Sequence, residues 1–206
     1  MSRLPAAQRK EQLLDRAAEL FARSGYARAT TAQLAKAAGV TEPIIYRHFD
    51  SKRDLFVALI ERTGDQTLHD WKDHLADAGD PAERLQRLIG ENPMVMRRGE
   101  APYRVMLQAI TEVDDPEIHR ALIEHITKLH AFITEEIQRA QKAEQVTNNF
   151  AADIIAWHLI HAGLGYGVLN AWGFRDHGTG EGEHHVQHLI ARVLVGKDAM
   201  PLDKVD

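Results

Sequence analysis

Helical periodicity runs through almost the whole chain. Apolar residues recur three and four apart, and no run of four or more residues alternates apolar with polar between turn signals, as a half-buried strand requires. The pattern predicts an all-α fold. Leu14, Ala17, Ala18 and Phe21 form the i, i+3, i+4, i+7 stripe of a first helix, which should stop at Ser24-Gly25 because glycine tolerates helix-ending backbone angles. Two short helices follow, from about Thr31 to Ala38 and from Glu42 to Phe49. A long helix then runs from about Lys52 to Leu75, with Leu55, Leu59, Leu68, Trp71 and Leu75 on its apolar face and Gly64 as a point of loosening or bending. Pro81, Pro93, Pro102 and Pro116 punctuate the next stretch and set helices at roughly 82–97, 103–111 and 117–144. An apolar helix at about 149–172, a glycine-rich loop from Gly173 to Glu183 and a striped helix at about 184–196 complete the series.

Composition narrows the chemistry. The 206 residues contain no cysteine, which excludes a disulfide-stapled scaffold, a thiol enzyme and any cysteine-ligated metal or cluster. The N-terminal segment MSRLPAAQRKEQ lacks the apolar core of a signal peptide. The longest apolar run, Ile154 to Leu169, carries His158 and His161 and is shorter than the ~20 residues of a membrane-spanning helix. A cytoplasmic protein with no membrane partner is expected. The net charge of -5 is unevenly placed: residues 1–62 hold 11 Lys+Arg against 7 Asp+Glu, leaving 14 against 23 for the remainder. A basic head on an acidic body suits phosphate binding by the head, whatever the total charge.

The head carries the most specific signal, in residues 29–56, ATTAQLAKAAGVTEPIIYRHFDSKRDLF. Thr30 and Gln33 have capping-box spacing at a helix start, and Gly39 suits the turn that follows Leu34, Ala35 and Ala38. Thr41 is placed to cap the next helix, and Pro43 is tolerated in a first turn that has no intrahelical N–H bond to lose. Ile45 and Phe49 should face inward. Glu42, Ile44, Tyr46, Arg47 and His48 then lie outside, where hydroxyl, guanidinium and imidazole groups can reach phosphates or base edges. Ser51 and Asp54 resemble a second capping pair, placing Lys52 at the N-terminus of the long helix, an end that favours anions. Helix, glycine turn and second helix together form the helix-turn-helix pattern.

Gly25-Tyr26, Thr30, Leu34-Ala35, Ala38-Gly39-Val40-Thr41, Tyr46, His48-Phe49, Ser51-Lys52 and Leu55, in this order, resemble the TetR family of bacterial transcriptional regulators over about residues 9–60. The resemblance implies a DNA-binding domain over residues 1–50 and a ligand-binding and dimerisation domain over 51–206. It further implies phosphate contacts from Thr30, Tyr46, His48 and Lys52, and places Thr41, Glu42, Pro43, Ile44 and Arg47 at or near base edges. Pro43 stands where many members carry glycine or another small residue. Arg28 reads either as a phosphate or minor-groove contact or as a solvated surface residue.

By the same resemblance the body should bind a small-molecule effector and dimerise. Trp71, Met94, Met96, Tyr103, Met106, Leu107, His125, Leu129, Phe132, Trp157, His161 and Trp172 are the candidate pocket residues, although each alone reads more readily as core, and only their concentration joined to the resemblance marks a pocket. Three glycines interrupt the apolar helix at 149–172, each at a cost of about 1 kcal/mol relative to alanine, which close helix approach could offset. Gly163 and Gly167, with Val186, Leu189, Ile190 and Val193, are the candidate dimer interface. A twofold dimer would present its recognition helices about 34 Å apart to a roughly palindromic duplex operator. The expected protein is a repressor, not an enzyme, and needs no cofactor. The competing reading is a metal-binding or enzymatic all-α protein using His158 with His161 or His184 with His188, which have helical ligand spacing.

Overall fold

The computed structural model describes residues 4–90 and 100–174, and the described residues are helical with no strand. The helices are α1 (Ala6–Ser24), α2 (Thr31–Ala38), α3 (Glu42–Tyr46), α4 (Lys52–His74), α5 (Pro81–Gly90), α6 (Glu100–Ala109), α7 (Pro116–Lys142) and α8 (Ala152–Ala171), with a 3₁₀ turn at Ile110–Glu112 after α6. Several boundaries follow from chemistry legible in the sequence. Asp80 and Asp115 each precede a proline that opens a helix, and their carboxylates accept first-turn N–H groups: Glu83 N–H on Asp80, and Glu117 and Ile118 N–H on Asp115. Gly25 ends α1 with φ +80°, and its N–H donates to the Phe21 carbonyl.

Two compact units emerge. The first comprises Met1–Asp65 and Ala101–His125, the second Gln66–Glu100 and Ile126–Asp206. In the first, the inward stripe of α1 meets Leu34, Ile45, Phe49, Leu55, Leu59 and Ile60, all buried. Phe21, Tyr26 and Phe56 form an aromatic cluster, with Tyr26 stacked on Phe56 at 4.0 Å between centroids and both rings edge-on to Phe21. From α6 and the start of α7, Val105, Met106, Ala109, Ile118 and Ala121 add buried surface to this unit. Gly64 lies in the middle of α4, which continues unbroken through it, and a Cβ there would fall 2.5 Å from His125 Nδ1.

The turn between α1 and α2 has its polar backbone groups tied from two other helices. Tyr26 N–H donates to Gln108 Oε1 at 2.9 Å, and Gln108 Nε2 donates back to the Phe21 carbonyl at 2.8 Å. Lys52 Nζ donates to the carbonyls of Tyr26, Ala27 and Ala29 at 3.0, 3.3 and 3.1 Å and lies 4.5 Å from the Tyr26 ring centroid.

The second unit packs Trp71, Leu75, Leu85, Leu88, Leu129, Phe132, Ile133, Ile137, Ile155, Leu159 and Ile160 into one cluster. Within it, Glu136 is 2% exposed and accepts a bidentate pair from Arg84 at 2.7 and 2.9 Å, plus one bond from Arg139 at 2.9 Å. Arg84 also donates to the Leu75 carbonyl at the end of α4. Hydrogen bonding to Glu136 holds the Arg84 guanidinium above its ordinary pKa.

Candidate functional site

The recognition segment is built from the bottom by caps. Thr30 and Gln33 make the reciprocal capping box, with Gln33 N–H on Thr30 Oγ1 at 3.2 Å and Thr30 N–H on Gln33 Oε1 at 3.0 Å. Gly39 closes α2 at φ +65°, a left-handed angle where a side chain would be strained. Thr41 occupies the N-cap position of α3 with extended backbone, but its hydroxyl makes no cap bond. The reason lies in its neighbours: Pro43 has no N–H to offer, and Ile44 N–H is taken by the Thr41 carbonyl at 3.0 Å. Ser51 does accept the Asp54 N–H, at 3.1 Å, at the start of α4.

A contact that spacing alone does not disclose orients the five-residue α3. Thr31 Oγ1 donates to Glu42 Oε2 at 2.8 Å and lies 3.3 Å from the Tyr46 hydroxyl. The single Thr31 proton serves Glu42, so the Tyr46 hydroxyl is the donor to Thr31. This chain ties both ends of α3 to the first turn of α2. It also occupies one Glu42 oxygen and the Tyr46 proton, two groups expected to face outward toward DNA. The Tyr46 ring is 50% exposed all the same. Thr30, Thr41, Pro43 and Arg47 are exposed, Ile44 and His48 are half-buried, and Ile45 and Phe49 are buried. Arg28, also exposed, donates through Nε to the Ser24 carbonyl at 3.1 Å. The exposed residues give one surface carrying hydroxyls, an aromatic ring and the Arg47 guanidinium.

The pocket candidates separate. Met106, Leu107 and His125 belong to the first unit, and Trp71, Leu129 and Phe132 to the second, where the Trp71 and Phe132 rings stack at 5.9 Å. All six are buried except Leu107, which is half-buried. Trp157 is 40% exposed, Trp172 is 72% exposed, and His161 is exposed, so these three line the outer face of α8 and its end. Periodicity gives these positions no direction, because α8 is apolar on nearly every side, which leaves the inward side unmarked. Gly163 is likewise buried in its own unit and Gly167 half-buried, whereas the outward stripe of α8 runs through Ile154, Trp157, His158 and His161. Trp157 stacks on His130 at 4.3 Å, and His158 Nδ1 meets the Ile154 carbonyl at 2.9 Å. Among the described residues, no group of three or more His, Cys, Asp or Glu side chains could hold a metal ion. Met94, Met96, Val186, Leu189, Ile190, Val193, His184 and His188 lie outside the described residues, and for Tyr103 only its place in α6 is described.

The family model for bacterial regulatory proteins of the tetR family matches residues 13–59, the segment from the stripe of α1 to the first turns of α4. Over these residues the chain is of the TetR family. The chain is similar to the HTH-type transcriptional activator FasR of Mycolicibacterium smegmatis, with 35% identity over 88 residues, 43% of this chain and 40% of that protein. It is also similar to the HTH-type transcriptional repressor Rv1474c of Mycobacterium tuberculosis, with 26% identity over 167 residues, 74% of this chain and 77% of that one. Several curated relatives are matched over only about 40% of their own length, FasR included. A solved structure from Saccharomonospora viridis, described as a transcriptional regulator in complex with choline, shares the fold with a TM-score of 0.81 and 24% identity, over 92% of this chain and 98% of that one. In the described residues, no helix is long and apolar enough to cross a membrane.

Within this TetR-family head the long-helix lysine spends its donors internally. The three protons of the Lys52 ammonium point to three carbonyls of the α1–α2 turn. Lys52→Ala is therefore expected to lower the unfolding free energy by about 1–2 kcal/mol, discounted for a half-exposed site. Urea unfolding followed by circular dichroism reads this directly. A variant of undiminished stability that has lost DNA affinity would place the ammonium on a phosphate.

Proposed function

We propose that this protein is a homodimeric, effector-responsive regulator of transcription, acting as a repressor that leaves a palindromic duplex operator when a small apolar or amphipathic molecule binds the body. The observation that carries the reading is the exposed Thr41, Pro43, Tyr46 and Arg47 surface of α3, held in orientation by the Thr31–Glu42–Tyr46 hydrogen bonds. A short helix so fixed can present side chains to a major groove without an ordering cost on binding. Arg47 forms no ion pair or hydrogen bond through its side chain among the described residues, which leaves its five donors available for a guanine edge or a phosphate.

Three further points support the reading. Repression agrees with Rv1474c, a relative matched over most of both chains. Dimerisation is supported by the apolar outer face of α8, where Ile154 and Trp157 are 50% and 40% exposed. A second copy of the chain would cover these residues. Effector binding is supported in the second unit by the Trp71 indole N–H, which is buried beside Phe132 without a hydrogen-bond partner among the described residues. A buried donor left unmade is costly, and an acceptor on a bound molecule would satisfy it. The effector releases DNA only by preferring the conformation that binds DNA less well, in this case one with a displaced α4 and an altered recognition-helix separation.

The test is selection of duplex DNA by the full chain, followed by affinity measurement against salt. With about six or more phosphates neutralised by a dimer, affinity should fall about a thousandfold between 50 and 200 mM salt. Arg47→Ala should cost about 1–3 kcal/mol and relax sequence preference at one position of each half-site. Failure to enrich any sequence would overturn the reading, and an unchanged preference would remove Arg47 from the base-reading set.

A further inference from the structure

We propose that Gln108 is a positioning residue through which α6 sets the turn carrying Arg28 and Thr30, so that DNA binding and the state of α6 are thermodynamically linked. The inference rests on the DNA-binding reading above. Its basis is the two-way bond of one carboxamide: Oε1 accepts the Tyr26 N–H at 2.9 Å and Nε2 donates to the Phe21 carbonyl at 2.8 Å, across separations of 82 and 87 residues. An amide is the neutral side chain that can accept and donate at once from a single planar group. The two bonds therefore grip the end of α1 and the start of the turn together.

The surrounding contacts make this grip directional. Val105, Met106 and Ala109 pack α6 into the unit by apolar burial, which is non-directional and by itself leaves sliding undefined. Hydrogen bonds weaken once donor and acceptor part by more than about 0.5 Å from their best distance, so they set the position of α6 along the turn. Tyr26 is held by its ring on Phe56 and by Gln108 at its N–H, while the carbonyls of Tyr26, Ala27 and Ala29 are held by Lys52 from α4. Within the turn, Ala29 N–H closes back on the Gly25 and Tyr26 carbonyls. The long-range anchors of the segment that leads into Thr30 thus come from α4 and α6. Coupling between two sites is reciprocal: if α6 biases the turn, DNA held by the turn must bias α6.

That reciprocity gives a test needing no effector. The full chain and the Gln108→Met variant, which keeps side-chain length and removes both bonds, are titrated with the duplex selected by the native protein. Hydrogen exchange of amides 101–109 is followed with and without saturating duplex. The expected result is that duplex slows α6 exchange in the native chain, that the variant binds about tenfold more weakly, and that its α6 exchange no longer responds to saturating duplex. Gln108→Glu keeps the acceptor for Tyr26 N–H and loses the donor to Phe21, so it should lie between the two and serves if the methionine variant fails to fold. Native-like affinity in the methionine variant, or α6 protection that persists in it, overturns the inference and leaves the DNA-binding reading standing, as does native α6 exchange indifferent to duplex. A native chain that selects no duplex overturns both.

Discussion

Replacing Glu136 with alanine is expected to destabilise the protein by about 3 kcal/mol, read as a fall of roughly 6–12 °C in melting temperature for a chain of this size. Glu136 is 2% exposed, and its carboxylate is the meeting point of Arg84 from α5 and Arg139 from its own helix. Burying a carboxylate is unfavourable in itself, and two guanidiniums at 2.7–2.9 Å offset that cost. Removing the carboxylate leaves the positive side. Arg139 has a side chain 48% exposed and returns to water, where Glu135 remains beside it. Arg84 has a side chain only 21% exposed and still donates to the Leu75 carbonyl, so part of its charge is left uncompensated. Because Arg84 can regain some solvent, the effect should sit at the low end of the ~3–5 kcal/mol typical of broken buried pairs. Glu136→Gln keeps one acceptor and the same shape and should lose clearly less. Equal losses from the two substitutions would mean that the full carboxylate charge, and not shape or the remaining acceptor, holds α5 to α7.

The head was legible because its signals are local: Thr30 meets Gln33 three residues on, Gly39 supplies a positive φ, and Ile45 and Phe49 share an inward face. The contacts that lock the head are not local. Thr31 reaches Glu42 across 11 residues, Lys52 reaches Ala29 across 23, and Gln108 reaches Tyr26 across 82. Thr31 and Gln108 carry no pattern that distinguishes them from solvated polar residues, and Lys52, placed at a helix N-terminus, reads as an anion contact. In the body the limit is different. Helix existence was readable from proline and glycine punctuation, but α8 is apolar around its circumference, so Trp157 and His161 gave no sign that they face outward while Ile155 and Ile160 face in.

Gly64→Ala is the second large effect, and its sign runs against local propensity. Alanine is worth about 1 kcal/mol more than glycine in a helix interior, so on α4 alone the substitution should stabilise. The added Cβ would lie 2.5 Å from His125 Nδ1, 3.1 Å from its Cγ and 3.4 Å from its Cβ. Turning the ring relieves the first contact at most. The second involves an atom one bond from the Cβ, which the helical backbone of α7 holds in place. His125 is 4% exposed, so the ring has no open solvent to move into without displacing its neighbours. Overpacking of this kind costs about 1–3 kcal/mol, and displacing a buried imidazole puts this site at the upper end, for a net loss of about 2 kcal/mol. The same geometry fixes the control. In a His125→Ala background the obstruction is gone, and Gly64→Ala should then stabilise by up to about 1 kcal/mol relative to His125→Ala alone. The reversal of sign between the two backgrounds, measured by urea unfolding of all four proteins, is the expected result. Stabilisation by Gly64→Ala in the native background would mean that His125 does not hold this place against α4, and that the glycine serves the flexibility of the long helix instead of its close approach to α7.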